Sequence, residues 1–167
     1  SEDSFVSLKL DKVHYTYLES KTPVLQELSL EFKAGESIGL IGPSGSGKSD
    51  LALRCIEKGA DLISDDQTIL CKKNKKIIAT APRTIAGKLE VRGLGIVDFP
   101  YRENASLVLV LDLINEGALE RLPKIDFVDY FDIKIPNLRI LSFESSAVEK
   151  VSLALRLVKG LAWGALR

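Results

Sequence analysis

The stretch that decides the fold lies at residues 38–49 and reads IGLIGPSGSGKS. Its apolar beginning predicts a buried strand, and residues 42–49 match the phosphate-binding pattern G-x-x-x-x-G-K-S, the P-loop. A helical pattern follows at residues 48–58, with Gly59 as its stop. Because both the strand and the helix are present in the pattern, the stretch indicates a site for a nucleoside triphosphate or a related polyphosphate.

The residue types of this loop explain how it would hold phosphate. Its glycines let the backbone turn sharply and present N–H groups to phosphate oxygens. Lys48 is placed to contact the β- and γ-phosphates, and Ser49 offers a hydroxyl ligand for Mg²⁺. The positive end of the following helix faces the same anion. The predicted nucleotide-binding residues of the loop are Gly42, Pro43, Ser44, Gly45, Ser46, Gly47, Lys48, Ser49 and Asp50.

Composition limits the class of protein. A chain of 167 residues fits one α/β domain with a substantial core. It carries 23 Lys and Arg against 23 Asp and Glu, so nothing predicts general attraction to nucleic acid or to an anionic membrane. The start is not a signal peptide, and no apolar run is long enough to span a membrane. Cys55 and Cys71 lack metal-ligand spacing and are typical of reduced packing residues, so we expect a cytoplasmic protein.

The remaining pattern predicts a mixed sheet with flanking helices. Alternating residues predict two antiparallel strands at 6–17, with a break at Asp11, and at 24–32. The later predicted elements are a short strand Leu62-Ile63, a hairpin with arms at 68–71 and 77–80, an apolar strand at 107–111, mixed strand and loop at 127–141, and a helix over about 145–166.

The core-facing residues predicted for the last helix are Val148, Val151, Leu155, Val158 and Ala162. The predicted fold class is therefore α/β: a single P-loop NTPase-like domain over residues 1–167, with a mixed sheet, an antiparallel N-terminal edge and flanking helices.

A P-loop requires a carboxylate that helps to hold Mg²⁺, and a kinase requires one that accepts the proton of the nucleophile. Residues 107–112 read LVLVLD, the generic form of a Walker B strand that ends in an acid. Asp65 and Asp66 follow a shorter apolar run but lie closer to the loop in sequence, and adjacent carboxylates suit proton transfer. From the residues alone the pair reads equally well as a solvated turn, and Asp112 as a strand-end acid that caps or faces solvent.

A resemblance favours the acidic pair. The segments GPSGSGKSDLALR at 42–54, SDD at 64–66 and LEVRGLGI at 89–96 resemble the catalytic domain of HPr kinase/phosphorylase, above all its short alphaproteobacterial type. The likeness covers about residues 42–158, and the Asp-Asp pair and the E-x-R-G-x-G segment are specific to that family. It implies phosphoryl transfer from ATP or pyrophosphate, with Mg²⁺, to a serine of the carrier protein HPr, and removal of that phosphate by inorganic phosphate.

The same resemblance implies roles for individual residues. Asp66 would be the general base for phosphorylation and the acid for the reverse reaction, and Lys48 would bind phosphate. Asp65 and Arg92 complete the implied catalytic set, and Ser49 and Glu90 would hold the metal. It also implies a homo-oligomer.

The first part of the chain resembles a different family. VHYTY at 13–17, PVLQELSLEF at 23–32 and GESIGLIG at 35–42 are similar to the start of an ABC transporter nucleotide-binding domain, over about residues 1–47. The resemblance implies that Tyr17 stacks on adenine; the alternative is a packing residue at a strand end. Since no LSGGQ-type signature follows, the dimer chemistry of ABC proteins is not expected.

Two families that meet inside one loop, in a chain without methionine, favour an engineered chimera over a divergent natural protein. In this interpretation residues 1–41 are ABC-like strands and residues 42–158 an HPr kinase-like core. HPr kinases keep a histidine in the hairpin before the loop, whereas residues 27–29 contain none and His14 is expected to be structural. Two classes of function stay open: a serine kinase/phosphorylase acting on HPr, and a domain that binds nucleotide or phosphate without turnover.

Overall fold

A computed structural model describes residues 7–15, 25–33, 36–117, 119–121 and 124–158. The chain divides into two compact units, Ser1–Gly35 and Glu36–Arg167. In the first unit, β1 (Ser7–Tyr15) pairs antiparallel with β2 (Leu25–Lys33), and the register shifts after Leu10. The predicted antiparallel pair and its break are therefore confirmed. Tyr17 lies outside the described residues, and the extent of a single domain stays a prediction.

The second unit combines strands and helices. In chain order these are β3 (Glu36–Ile41), α1 (Lys48–Glu57), β4 (Ile69–Lys73), β5 (Lys76–Thr80), β6 (Lys88–Val91), β7 (Gly95–Asp98), β8 (Asn104–Ile114), β9 (Asp126–Tyr130), β10 (Ile133–Leu141) and α2 (Ala147–Arg156). Within the described part of the chain, no helix has the length and apolar character needed to cross a membrane.

Strand β8 is the centre of a six-stranded sheet. It pairs parallel with β3 over residues 106–112 and parallel with β10 over residues 110–114, while β5 pairs antiparallel with residues 104–107. β4 and β9 lie at the two ends of the strand order, and β6 and β7 form a separate hairpin. Because β3, β8 and β10 run parallel, their carboxyl ends meet at one edge, which is where α/β sheets bind ligands. The α/β class with a mixed sheet is confirmed.

The core holds this edge in place from both faces of β8. Leu109, Leu111 and Leu113 lie in one apolar cluster with Leu51 of α1 and Val151 of α2. A second cluster contains Ile77, Leu107, Val110 and Ile135. Each fully buried leucine contributes about 1.5–3 kcal/mol relative to an exposed one, so α1 and the loop before it are firmly attached to the sheet.

The local predictions around α1 and the β4–β5 hairpin are confirmed. α1 ends at Glu57, one residue before the predicted end, and the Gly59 N–H donates to the carbonyl of Ile56 at 2.9 Å. Gly59 has φ +95°, a conformation that glycine adopts without steric cost. The β4–β5 turn also has positive φ, at Asn74 and Lys75, as a two-residue hairpin turn requires.

Two predictions about strands are wrong. Leu62 and Ile63 do not form a strand beside β3; Leu62 makes only an isolated bridge with Tyr101. β8 does not end at Asp112 but continues to Ile114, because Leu113 extends the buried alternation of the strand. Asp112 therefore lies inside β8 and is not an acid at the end of the strand.

Two further segments differ in extent from their prediction. β9 and β10 replace the mixed strand and loop predicted at 127–141. α2 begins at Ala147, two residues after the predicted start, and residues 159–166 of the predicted helix lie outside the described residues. Its buried residues are Ala147, Val151 and Ala154, whose small size lets the helix pack closely on the sheet.

The two cysteines should react at different rates. Partial burial raises the pKa of the Cys55 thiol, whereas Cys71 is exposed on β4. Because the thiolate is the reactive form, iodoacetamide at neutral pH should modify Cys71 first and Cys55 several-fold more slowly. Time-resolved peptide mass spectrometry measures both rates, with urea-unfolded protein as the control. Equal rates in the folded protein would contradict this arrangement.

Candidate functional site

The glycine-rich loop, residues 42–49, connects β3 to α1 and packs closely against its surroundings. Gly42 and Gly47 have φ values of +152° and +83°. A Cβ atom at Gly42 would lie 2.5 Å from the Ser46 Oγ, and one at Gly47 would lie 2.9 Å from the Ser142 Oγ. Since neither position has room for a side chain, this loop conformation requires glycine at both.

The start of α1 leaves backbone donors for an anion. The first helical hydrogen bond runs from the Leu51 N–H to the Gly47 carbonyl at 2.9 Å, so the N–H groups of residues 47–50 have no partner within the helix. Gly47 has no side chain with which to cap them. The fully buried Ser46 hydroxyl also has no hydrogen-bond partner among the described residues. These donors, together with the positive helix end, fit a phosphate group.

The ammonium group of Lys48 lies over the same loop. Its Nζ donates to the carbonyl oxygens of Gly42 at 2.8 Å and Pro43 at 3.0 Å. A phosphate oxygen would form a stronger, charge-assisted hydrogen bond than either neutral carbonyl. The Lys48 ammonium therefore lies at the glycine-rich loop, and its contact with phosphate stays a prediction.

One carboxylate joins the loop to the E-x-R-G-x-G hairpin. The Ser49 hydroxyl donates to Asp65 Oδ1 at 3.2 Å, and the Glu90 backbone N–H donates to Asp65 Oδ2 at 3.0 Å. We call this pair of hydrogen bonds the Asp65 bridge. It brings together residues 49, 65 and 90, which are far apart in the sequence. The hydroxyl and carboxylate oxygens of Ser49 and Asp65 are also the hard donors that Mg²⁺ prefers, and Mg²⁺ needs few protein ligands.

The other predicted catalytic residues lie around this bridge with more exposure. Asp66 follows Asp65 directly, is exposed, and makes no hydrogen bond or ion pair with the described residues. Glu90 and Arg92 are exposed on β6 and on the turn after it. Asp50 forms an ion pair with Arg54 at 2.8 Å, one helical turn along α1. The described part of the chain contains no group of three or more His, Cys, Asp or Glu residues arranged for a metal ion.

Asp112, the rival Walker B candidate, has a different partner. It lies opposite Arg139 of β10, and the Arg139 Nε is 3.8 Å from its Oδ2. The carboxylate in contact with Ser49 is that of Asp65. Of the two candidates, the acidic pair is the one joined to Ser49, and within the pair the contact falls on Asp65. The roles of these carboxylates stay predictions.

Sequence reasoning missed the loop that follows β10. Ser142 is fully buried, and its Oγ donates to the Ser46 carbonyl at 2.6 Å. The Arg54 guanidinium donates to the carbonyl oxygens of Ser142 and Glu144, the latter at 3.4 Å. The only sequence signal was Arg54 itself, at the end of the 42–54 segment, because nothing in residues 142–144 marks them as part of a site.

The parallel strands, the glycine-rich loop and the open helix N-terminus together define a P-loop-like α/β domain. The family model of the HPr Serine kinase C-terminal domain matches residues 34–150, and the chain belongs to this family. The match begins before β3, earlier than the predicted start at residue 42.

Curated relatives agree with this family, and a solved structure agrees with the fold. The chain is 37% identical over 123 residues to an HPr kinase/phosphorylase of Clostridium tetani, covering 73% of this chain and 39% of the relative. It is 33% identical over 118 residues to one of Caldicellulosiruptor bescii, covering 64% of this chain and 38% of that relative. The chain thus spans about two fifths of the length of these relatives. Its fold is similar to that of the Hpr(Ser) kinase/phosphatase from Coxiella burnetii, with a TM-score of 0.65 and 22% identity over 73% of this chain and 87% of that one.

Removing the Asp65 bridge should lower stability more than removing the neighbouring acid. Asp65→Ala removes two hydrogen bonds to a charged acceptor, and we expect the free energy of unfolding to fall by about 1–2 kcal/mol. Asp66→Ala removes an exposed side chain that has no partner among the described residues, and it should change the free energy of unfolding by less than about 0.5 kcal/mol. Urea unfolding monitored by circular dichroism measures both. Equal effects of the two substitutions would mean that the bridge does not form.

Proposed function

We propose that this chain is the phosphoryl-transfer domain of a serine kinase/phosphorylase. The phosphate donor would be ATP or pyrophosphate with Mg²⁺, and the acceptor a serine of an HPr-type carrier protein. The observation that carries the proposal is the Asp65 bridge, because it joins the phosphate-binding loop to the segment that resembles the signature of the family. Membership of the HPr Serine kinase C-terminal domain family and curated relatives that are HPr kinase/phosphorylases support it.

The glycine-rich loop would bind the β- and γ-phosphates. Backbone N–H groups of residues 47–50 and the Lys48 ammonium supply the positive charge for this binding. The Ser49 hydroxyl and the Asp65 carboxylate would hold Mg²⁺, with the exposed Glu90 side chain as a further oxygen donor. When bound, Mg²⁺ neutralises part of the charge that develops on the transferring phosphoryl group.

Asp66 would act as the general base. Asp65 already accepts two hydrogen bonds, whereas Asp66 is exposed and has no partner among the described residues. Since consecutive Cα atoms are about 3.8 Å apart, Asp66 lies next to the bridge and open to an acceptor protein. It would take the serine proton as the hydroxyl attacks the γ-phosphate and the bond to ADP breaks. In the reverse direction it would return the proton to the serine oxygen as inorganic phosphate removes the phosphoryl group.

Arg92 would stabilise the phosphoryl group during transfer. It lies on the exposed turn directly after β6, the strand that the bridge holds beside the loop. A guanidinium group at this point can neutralise charge on equatorial phosphoryl oxygens.

A nucleotide-binding domain without turnover is the alternative that the sequence left open. The exposed Asp66 carboxylate next to the Asp65 bridge favours the enzyme, because binding of a nucleotide alone requires no general base. The ABC-like interpretation of residues 1–47, the chimeric origin and the homo-oligomer remain hypotheses.

The direct test is transfer of labelled phosphate. Incubation with γ-labelled ATP, Mg²⁺ and HPr should label HPr, and an HPr variant with alanine in place of the acceptor serine should stay unlabelled. Lys48→Ala should abolish transfer or weaken it severely, because it removes the side-chain cation of the phosphate site. Phosphor imaging of gels measures the transfer. Absence of label with the unmodified chain, at concentrations where ATP binds, would favour binding without turnover.

Substitution of the acidic residues separates the roles proposed for them. Asp66→Asn keeps the shape and removes the base, so ATP affinity should stay nearly unchanged while the transfer rate falls by roughly 10²–10⁴. Asp112→Asn is the matched control and should have a much smaller effect, since Asp112 contacts Arg139 instead of Ser49. A larger loss from Asp112→Asn than from Asp66→Asn would overturn the assignment.

A further inference from the structure

An exposed aromatic ring lies directly beside the glycine-rich loop. Phe143 is 60% exposed although it belongs to the loop that packs on the start of α1. A Cβ atom at Gly47 would lie 3.0 Å from its Cζ and 3.1 Å from its Cε1. The tip of the ring therefore touches the last glycine of the phosphate-binding loop, and much of the ring is open to solvent.

The backbone on both sides of this ring is fixed. Ser142 is anchored by its buried hydrogen bond to the Ser46 carbonyl, and the carbonyl oxygens of Ser142 and Glu144 accept hydrogen bonds from Arg54. The Glu144 side chain is also paired with Lys150 of α2. Because these contacts hold the residues before and after it, Phe143 has little freedom beyond its own side-chain torsions. Because the backbone is already fixed, only the side-chain torsions of Phe143 have to be ordered when a ligand packs on the ring.

The position of the ring relative to the phosphate site suggests what would cover it. Residues 142–144 leave the carboxyl end of β10, at the same edge of the sheet as the glycine-rich loop. A nucleotide whose phosphates lie in that loop extends its base beyond the loop, and Phe143 offers an exposed apolar face beside the loop. Aromatic faces stack on any base, since every base has a π-face.

We propose that Phe143 is the stacking platform for the base of the donor nucleotide. The inference rests on the proposed function, since it needs a nucleotide in the glycine-rich loop. The sequence pattern did not indicate this residue, and the ABC-like resemblance pointed to Tyr17 instead. Because the phenyl ring has no hydrogen-bonding group, it should bind any nucleotide that has a base and should not select one base over another.

The chain offers a matched control at the opposite end of β10. Phe131 is 54% exposed and lies two residues before the first residue of β10, whereas Phe143 lies two residues after the last. A strand of this length spans roughly 30 Å, so Phe131 is far from the glycine-rich loop. Both rings have similar exposure, and only one of them lies beside the phosphate site.

The test compares a ligand that has a base with one that has none. Isothermal titration calorimetry with Mg-ATP and with Mg-pyrophosphate gives the dissociation constants of both. Phe143→Ala should raise the dissociation constant of ATP by about 5- to 150-fold and leave that of pyrophosphate within about twofold. Phe143→Tyr keeps the aromatic face and should restore ATP binding, and Phe131→Ala should change neither constant.

The remaining outcomes separate failure of the platform from failure of the proposed function. If Phe143→Ala weakens both ligands equally, the ring supports the loop and does not bind a base. If it weakens neither, or if Tyr17→Ala alone weakens ATP selectively, the platform lies elsewhere and the inference is wrong. If the unmodified chain binds pyrophosphate but not ATP, the phosphate site stands and the base site is refuted. If it binds neither, the proposed function fails and the inference fails with it.

Discussion

The site depends on one carboxylate, that of Asp65, which accepts the Ser49 hydroxyl on one oxygen and the Glu90 N–H on the other. Its two hydrogen bonds join the start of α1, at the end of the glycine-rich loop, to the β6–β7 hairpin. The glycine-rich loop and the E-x-R-G-x-G segment therefore share one site, although β3 and β6 belong to different sheets. A half-buried carboxylate with both oxygens engaged also has a defined orientation, which a metal ligand requires.

A second set of contacts also holds the glycine-rich loop, and it comes from the residues that follow β10. Arg54 and Ser142 connect α1 and the loop itself to the residues after β10, through backbone carbonyl oxygens. Backbone acceptors do not depend on the side chain at their position, so residue 143 is free to serve a ligand. The loop is thus fixed by Asp65 and by residues 142–144, and its N–H groups are arranged before any phosphate arrives. This preorganisation lowers the entropic cost of binding a phosphate.

Local patterns made part of this structure predictable. The glycine-rich loop, α1 with its stop at Gly59 and the β4–β5 hairpin each follow from residues that are close in sequence. The Asp65 bridge is a contact between distant segments, so spacing alone left Asp65, Asp66 and Asp112 as competing candidates. The resemblance to a family identified the acidic pair but assigned the catalytic role to Asp66, and the structure shows which of the two contacts the loop.

Other features carried no usable signal. The β9–β10 turn places Phe131 and Asp132 at positive φ without any glycine, and its hairpin was therefore not predicted. The end of β8 was misjudged because an acid after an apolar run resembles a strand end, whereas the buried alternation of the strand continues through Leu113.

Most directly, a crystal structure with Mg²⁺ and a non-hydrolysable ATP analogue would test the central claim. The account predicts phosphate oxygens within hydrogen-bond distance of the N–H groups of residues 47–49, with Mg²⁺ between Ser49 and Asp65. Phosphates outside this loop, or Asp112 beside the metal in place of Asp65, would contradict it.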